Sequence, residues 1–439
     1  VGGALALAGT APARGDSIPL DVDELRDEHV RLWKSTASEL PCLGPGIGLR
    51  GHLVNESSAR RLLDTLAREA EALPEDEETR RAWRRSVARR LRAFGEQRLG
   101  WPSGYGRLVF ADAFFAASVA FARRARTFDP TLPLESLGQA LRNVWIGNSL
   151  QMRLGLPVVL GEGLFAYSML YPLTDNLLDD PKRDAVAKRA FQDRFGRRLA
   201  GERVRPADAG EAAVFGLVGC VENEFPRELF PFVHGSLLAI HAGQTRSLAQ
   251  QDDPRLTGEE LLSISAEKGG TSVLADLYLV AGTPEAPDRR FAFGYGVFLQ
   301  LLDDLQDVEV DLAAAHRTLF TRATARGVLD SEAARLARFV DRVLDAEPVA
   351  DEAAAERRDL VRRNCRTLLV SAVASQPRRF SRRFRRTIER QWPFTLAAMR
   401  RLRTRAERRL AGPLATLGDP RRADALLAEA DEDAGGIDP

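Results

Sequence analysis

This 439-residue chain predicts an all-α fold, a large antiparallel helix bundle, on three observations. Apolar residues recur at three- and four-residue spacing through most of the chain. No alternating apolar–polar run is flanked by a hairpin signal of the Asn-Gly kind. Clusters of Gly, Pro and Asp cut the chain at helix-length intervals, as at Asp129-Pro130, Asp180-Pro181, Asp253-Pro254 and Gly282-Thr283-Pro284. With 44% hydrophobic and 28% charged residues the composition is ordinary for a globular protein, which excludes wholesale disorder and collagen-like structure. Lys+Arg 63 against Asp+Glu 62 leaves a net charge of +1, so a globally basic nucleic-acid binder is excluded. Cys42, Cys220 and Cys365 lie far apart and form neither a disulfide framework nor a CxxC zinc signature. A cytoplasmic location is the expectation.

In chain order, residues 1–50 carry many Gly and Pro with little period and read as a tail and loop. Their apolar start lacks a positive region ahead of it, so a tail is expected rather than a signal peptide. Residues 52–99 are rich in Arg, Glu, Leu and Ala, all strong helix formers, and stop at Gly100-Trp101-Pro102. Further helices are expected over 108–127, 134–153, 158–180, 183–199, 211–224, 228–251, 257–282, 288–313, 330–346 and 351–374. The longest apolar stretch, 154–173, holds Glu162, two prolines and three glycines, which suits a buried helix and not a membrane span. Residues 51–130 read as N-terminal helices packing on a core at 131–346, and 347–439 as a C-terminal extension. Residues 378–409 hold thirteen arginines and two acids, with Phe380, Phe384 and Ile388 at four-residue spacing. Such a basic amphipathic helix either packs its apolar stripe on the bundle or touches a membrane surface or anionic partner. The segment from Leu417 onward is acidic and reads as a frayed tail.

Two places carry chemistry. Leu173-Thr174-Asp175-Asn176-Leu177-Leu178-Asp179-Asp180 ends one strongly apolar helix. Gln300-Leu301-Leu302-Asp303-Asp304-Leu305-Gln306-Asp307 ends another. Asp175 and Asp179 share one helix face, and Asp303, Asp307 and Asp311 stack on one face likewise. Like charges at this spacing cost a few tenths of a kcal/mol, so a helix gains nothing from them unless a cation sits between. Oxygen-only ligands without nearby His or Cys favour a hard cation such as Mg²⁺. That ion keeps waters and is usually completed by substrate phosphates, which points to a diphosphate. His234 and His241, about 10 Å apart along one helix, are too far apart for one ion. Gly294-Tyr295-Gly296 follows no strand and is not a nucleotide loop.

Residues 134–320 resemble the class I isoprenoid synthases, in particular the trans-prenyl diphosphate synthases. In that family two Asp-Asp-x-x-Asp motifs face each other across a helical cavity. Asp303-Asp304-Leu305-Gln306-Asp307 matches the second in full, with Gln300 standing where the family has Gln. Asp175-Asn176-Leu177-Leu178-Asp179 matches the first with Asn for its second Asp. Gly243-Gln244, Pro254-Arg255-Leu256-Thr257, Glu267-Lys268-Gly269-Gly270-Thr271 and Arg317-Thr318-Leu319-Phe320 follow in the family's order. The resemblance implies a bundle around a central apolar cavity. It implies metal ligands Asp175, Asp179, Asp303, Asp304 and Asp307, and three Mg²⁺ ions completed by a prenyl diphosphate substrate. Lys268, similar to a family lysine on the helix kink, and Arg317 would stabilise the leaving diphosphate. Arg142, Tyr167, Tyr171, Phe298 and Gln300 would bind substrate. Phe165 and Tyr295 lie on the same two helices. Each aromatic serves either core packing or a carbocation, to which a ring face offers about 0.5–2 kcal/mol. A homodimer is a further expectation.

The chain departs from the family's elongating members. Where they carry Gly-Gly-Lys-Arg, Gly138-Gln139-Ala140-Leu141-Arg142 keeps one basic residue. Their Arg-Arg-Gly is echoed only by Lys182-Arg183. Those residues seat isopentenyl diphosphate, so the expected activity is ionisation of one allylic diphosphate with cyclisation or quenching of the cation. Condensation with isopentenyl diphosphate or another acceptor is the alternative, and a non-catalytic helical partner a second one.

Overall fold

The computed structural model describes residues 21–417 apart from 73–75, 103–104, 107–111 and 181, and every regular element among them is helical. The first is α1 (Val22–Lys34), inside the stretch expected to be tail and loop. Asp21 caps it through Glu24 N, and His29, Val30 and Trp33 are buried. Thirteen residues with three inward positions are too short for the period to stand out. Residues 1–20 and the expected acidic tail at 418–439 lie outside the described residues. The expected run 52–99 is two helices, α2 (Leu49–Glu71) and α3 (Glu77–Arg98), the second capped by Asp76. Sequence places Pro74 between them.

Then come α4 (Asp112–Phe128), α5 (Leu134–Leu154), α6 (Glu162–Asp179), α7 (Ala185–Leu199) and α8 (Ala209–Glu224). Next are α9 (Pro231–Ser247), the short α10 (Ala249–Asp252), α11 (Gly258–Ala281) and α12 (Ala286–Gln306). The rest are α13 (Val308–Ala313), α14 (Leu319–Thr324), α15 (Asp330–Leu344), α16 (Glu352–Ser375), α17 (Arg382–Glu389) and α18 (Leu396–Leu417). The sequence supplies the starts: Asp184, Asp208, Thr257, Thr318, Asp351 and Ser381 each accept from a backbone N–H of the first turn. Gly155, at φ 70°, closes α5.

Helix α11 is the hub, packed against α1, α5, α6, α9 and α12 and buried almost all round. Its crossing with α12 is backbone on backbone. A Cβ on Gly296 would stand 2.1 Å from the Gly269 carbonyl, and one on Gly270 2.4 Å from the Phe293 ring. The expected kink at Gly269-Gly270 is instead an unbroken helix with a close approach.

Contacts fix the directions. Gly269 meets Gly296 while Ser265 bonds Asp304, so α12 runs antiparallel to α11. Tyr167 bonds Ser272 and Gly163 faces Leu279, so α6 is antiparallel to α11 as well. Both helices therefore run the same way, and their carboxylate ends emerge at one end of the bundle. Helix α5 opposes α6, with Gly147 against Leu164 and Asn143 against Ser168.

Phe165, Phe293 and Phe298 fill the interior with no exposed surface to speak of. Burial of such a side chain contributes roughly 1.5–3 kcal/mol. The cavities described lie at the surface: one of about 240 Å³ lined by Pro102, Tyr105, Glu352 and Asp359, another of about 540 Å³ lined by Arg198, Arg203, Arg205 and Glu222. Neither is the expected central cavity between α6 and α12. The basic segment is a 3₁₀ turn (Pro377–Arg379) followed by α17 and α18. Its stripe, Phe380, Phe384 and Ile388, is buried in the core. No helix among the described residues is long and apolar enough to cross a membrane.

Candidate active site

The site is the end of the bundle at which α6 and α12 finish. On α6, Pro172 removes a backbone donor inside the helix, and Thr174 Oγ1 donates to the carbonyls of Leu170 (2.8 Å) and Tyr171 (3.0 Å). Tyr171, one turn ahead of Asp175, stands half exposed at this end of the bundle. Withdrawal of its hydroxyl from water, then the charges of Asp175 and Asp303, push it up to about 12, with Arg142 opposing. One side chain thus feels both ladders and the arginine of α5. Asn176 is exposed. The side chain of Asp179 lies outside the described residues.

The second ladder opens to solvent at Asp303 and Asp307. Surrounding protein and the Asp307 charge raise the Asp303 carboxyl above its usual range, while Lys268 and Arg142 lower it. The α12 helix stops at Asp307, whose N–H reaches the Asp303 carbonyl, and α13 restarts at once. Asp311 N–H donates to the Asp307 carbonyl at 2.8 Å. Burial and the three preceding aspartates push the Asp311 carboxyl up to about 7. A turn through Ala315, at φ 55°, brings His316 back toward Lys268.

Lys268 is the cation of this end; its charge is felt at Asp303, Asp304, Asp311 and His316. Two glycine approaches put it there. The Gly269–Gly296 crossing brings α11 onto α12, and Gly243 lets α9 approach the Lys268 backbone, where a Cβ would stand 3.3 Å from Lys268 Cα.

Other expected site residues are placed elsewhere. Asp304 is buried and both its oxygens are taken: Oδ2 accepts from Ser265 Oγ (2.8 Å) and Oδ1 from Gln300 Nε2 (2.8 Å). Burial pushes it up to about 6. The Ser265–Asp304 bond therefore ties α12 to α11, while Gln300 braces Asp304 from one turn back on α12, and Asp304 has no oxygen left for a ligand. Phe298 is core, without exposed surface. Arg317 is bonded to α10: its guanidinium donates to the Gln251 carbonyl (3.2 Å), and its backbone exchanges hydrogen bonds with Gln250. Tyr167 lies one turn below Tyr171, donating to the Ser272 carbonyl at 3.1 Å. Arg183 is held by Asp208 and Glu211.

Sequence reasoning passed over Asp276. It is fully buried, with Oδ1 accepting from Asn143 (2.9 Å) and Oδ2 unpartnered. Its signal was there, a lone carboxyl in the apolar run 272–281.

Among the described residues no three His, Cys, Asp or Glu side chains converge closely enough to cage a metal. Asp175, Asp303, Asp307 and Asp311 offer carboxylate oxygens at this end, and burial, then neighbouring carboxylates, raise Asp303 and Asp311. That set suits a hard divalent cation sharing its shell with ligand oxygens. Asp175, Asp303, Asp307 and Asp311 could hold one. No protein-family model matches this chain, and neither does any curated protein.

Proposed function

We propose that the chain is a class I isoprenoid synthase of the terpene synthase kind, which ionises one allylic prenyl diphosphate and lets the cation cyclise or be quenched. The observation that carries this reading is the meeting of Asp175, Asp303 and Arg142 around Tyr171, with Lys268 facing the second ladder from α11. Bound Mg²⁺ would neutralise the diphosphate and draw it away as the allylic C–O bond breaks. Asp175, Asp303, Asp307 and Asp311 orient that charge at this end of the bundle. Lys268 adds a fixed positive charge toward the departing oxygens, electrostatic stabilisation that needs no protein nucleophile. Tyr171, half exposed beside these carboxylates, would offer its ring to an allylic cation held there, and a ring face stabilises a cation by about 0.5–2 kcal/mol. Its hydroxyl, held up to about 12, stays protonated and does not capture the cation as a phenolate.

The engagement of Arg183 with Asp208 and Glu211 favours a single-diphosphate reaction over condensation. A second diphosphate needs several charge-assisted contacts to offset its desolvation. Of the basic residues expected to seat a second diphosphate, Arg142 is the one felt at both Tyr171 and Asp303. The test is incubation with Mg²⁺ and allylic diphosphates of several lengths, with and without isopentenyl diphosphate, followed by mass spectrometry. A hydrocarbon or alcohol from one diphosphate is expected. Longer linear diphosphates formed only with isopentenyl diphosphate would give the site to condensation, and no product at all to a non-catalytic role.

A further inference from the structure

Among the described residues exposed large apolar side chains mostly stand singly, but Leu49 and Leu53 share the outer face of the first turns of α2, with exposed Val54 to one side. Leu49 is 74% exposed and Leu53 59%, so both project from the surface. The inner face of the same turns is bolted to the end of α17. Ile47 N–H donates to the Arg390 carbonyl (2.7 Å), His52 Nε2 lies 3.1 Å from the Trp392 carbonyl, and Asn55 Nδ2 donates to the Pro393 carbonyl (3.1 Å).

Helix α17 turns Phe384 and Ile388 inward and leaves Arg382, Arg383, Arg386 and Arg390 exposed. No ion pair is described for these guanidinium groups among the described residues, nor for that of Arg50. The neighbouring acids take their hydrogen bonds from other groups, and Glu56 lies 3.6 Å from Arg401. Glu56 accepts from Thr395 Oγ1 (2.6 Å), Glu389 from Leu396 N–H (3.0 Å) and Asp330 from Ser381 N–H (2.9 Å). Ile47, two residues before Leu49, is bonded to Arg390, so the projecting aliphatic chains adjoin arginines for which no ion pair is described among the described residues.

We propose that the start of α2 and the outer face of α17 dock the protein on an anionic bilayer surface, with Leu49, Leu53 and Val54 among the headgroups and the arginines on lipid phosphates. Apolar prongs beside basic residues fit such a surface, where each arginine strengthens binding about fivefold. The alternatives fit less well. Aliphatic prongs offer bases no face to stack on. Two copies meeting through this face would set arginines against arginines. The burial of Phe380, Phe384 and Ile388 leaves α17 to act by charge alone, and insertion falls to α2.

Flotation of the full chain with vesicles tests this. Phosphatidylcholine vesicles containing phosphatidylglycerol should carry the protein, pure phosphatidylcholine should not, and added salt should weaken the binding. The Arg382→Gln, Arg383→Gln, Arg386→Gln triple variant should bind about fivefold more weakly per arginine removed. Leu49→Ser with Leu53→Ser should lower binding at every salt concentration; circular dichroism checks that both variants stay folded, and Leu49→Ser alone serves if the pair does not. Equal binding to neutral vesicles, no binding to anionic ones, or an unaffected arginine variant would overturn the proposal. So would a lipid-free dimer in sedimentation that Leu49→Ser dissociates, or RNA binding without vesicle binding.

Discussion

Asp303 and Asp304 are adjacent, yet one faces solvent beside a like charge and the other is sealed between two helices. Their alanine variants should therefore fail in different ways. Asp303→Ala relieves a repulsion, so turnover should vanish while the melting temperature holds or rises. Asp304→Ala strands Ser265 Oγ and the Gln300 amide, a loss of about 1–3 kcal/mol seen in denaturant unfolding. Wild-type turnover in Asp303→Ala would end its metal role. A sequence motif lists the two as equals, because which Asp of a doublet turns inward depends on the partner helix, here on Ser265. Asp276 gives a pH test. Burial raises its carboxyl well above the usual range, so its contribution to stability is intact below that range and is lost as pH climbs. Asp276→Asn removes this dependence, and its stability relative to wild type should rise from about pH 4 to about pH 8. A relative fall over that span would contradict the account.

Helices α11 and α12 touch through Gly269, Gly270 and Gly296, and this contact sets the distance from Lys268 to the second ladder. Gly296→Ala puts a methyl 2.1 Å from a carbonyl oxygen and must push the helices apart. Overpacking of this kind costs about 1–3 kcal/mol. Turnover should fall with it, since Lys268 moves with its helix. Gly138→Ala is the control: its Cβ meets nothing within 4 Å, and an alanine inside a helix should stabilise by up to about 1 kcal/mol. If both substitutions behave alike in thermal melts, the close crossing is not what these glycines serve. From sequence the resemblance implies a kink at Gly269-Gly270 and Gly296 carries no role; that these glycines mark a crossing could not be known without the facing helix. Caps such as Asp21 and Thr257 act within one turn and were open to sequence reading. The destination of the stripe at Phe380, Phe384 and Ile388 was not, because packing on a bundle and lying on a membrane demand the same periodicity.

At the scale of the whole molecule, the helical class was legible because period and punctuation are local properties. The shared end of α6 and α12 was expected only through the family resemblance, since it follows from both opposing α11, a relation among three helices that period and spacing do not carry. That arrangement concentrates negative charge at one end, and burial together with that charge raises the Asp303 and Asp311 carboxyls. Raised carboxyls contribute fully below their ordinary range and lose that contribution as pH rises, through about 7 for Asp311. A ligand that neutralises this end should recover the loss. Since no described group of three side chains cages a metal, neither Mg²⁺ nor inorganic diphosphate alone should raise the melting temperature much. Together they should raise it by several degrees, since binding to the folded state at about a hundredfold excess over Kd contributes about 2.7 kcal/mol. The shift should be larger at pH 8 than at pH 5, because protons compete for the same oxygens. It should disappear in Asp303→Ala, and chelator without diphosphate should leave the helical circular dichroism unchanged. An equal shift in Asp303→Ala, or one that grows as pH falls, would place the diphosphate somewhere other than between the two ladders.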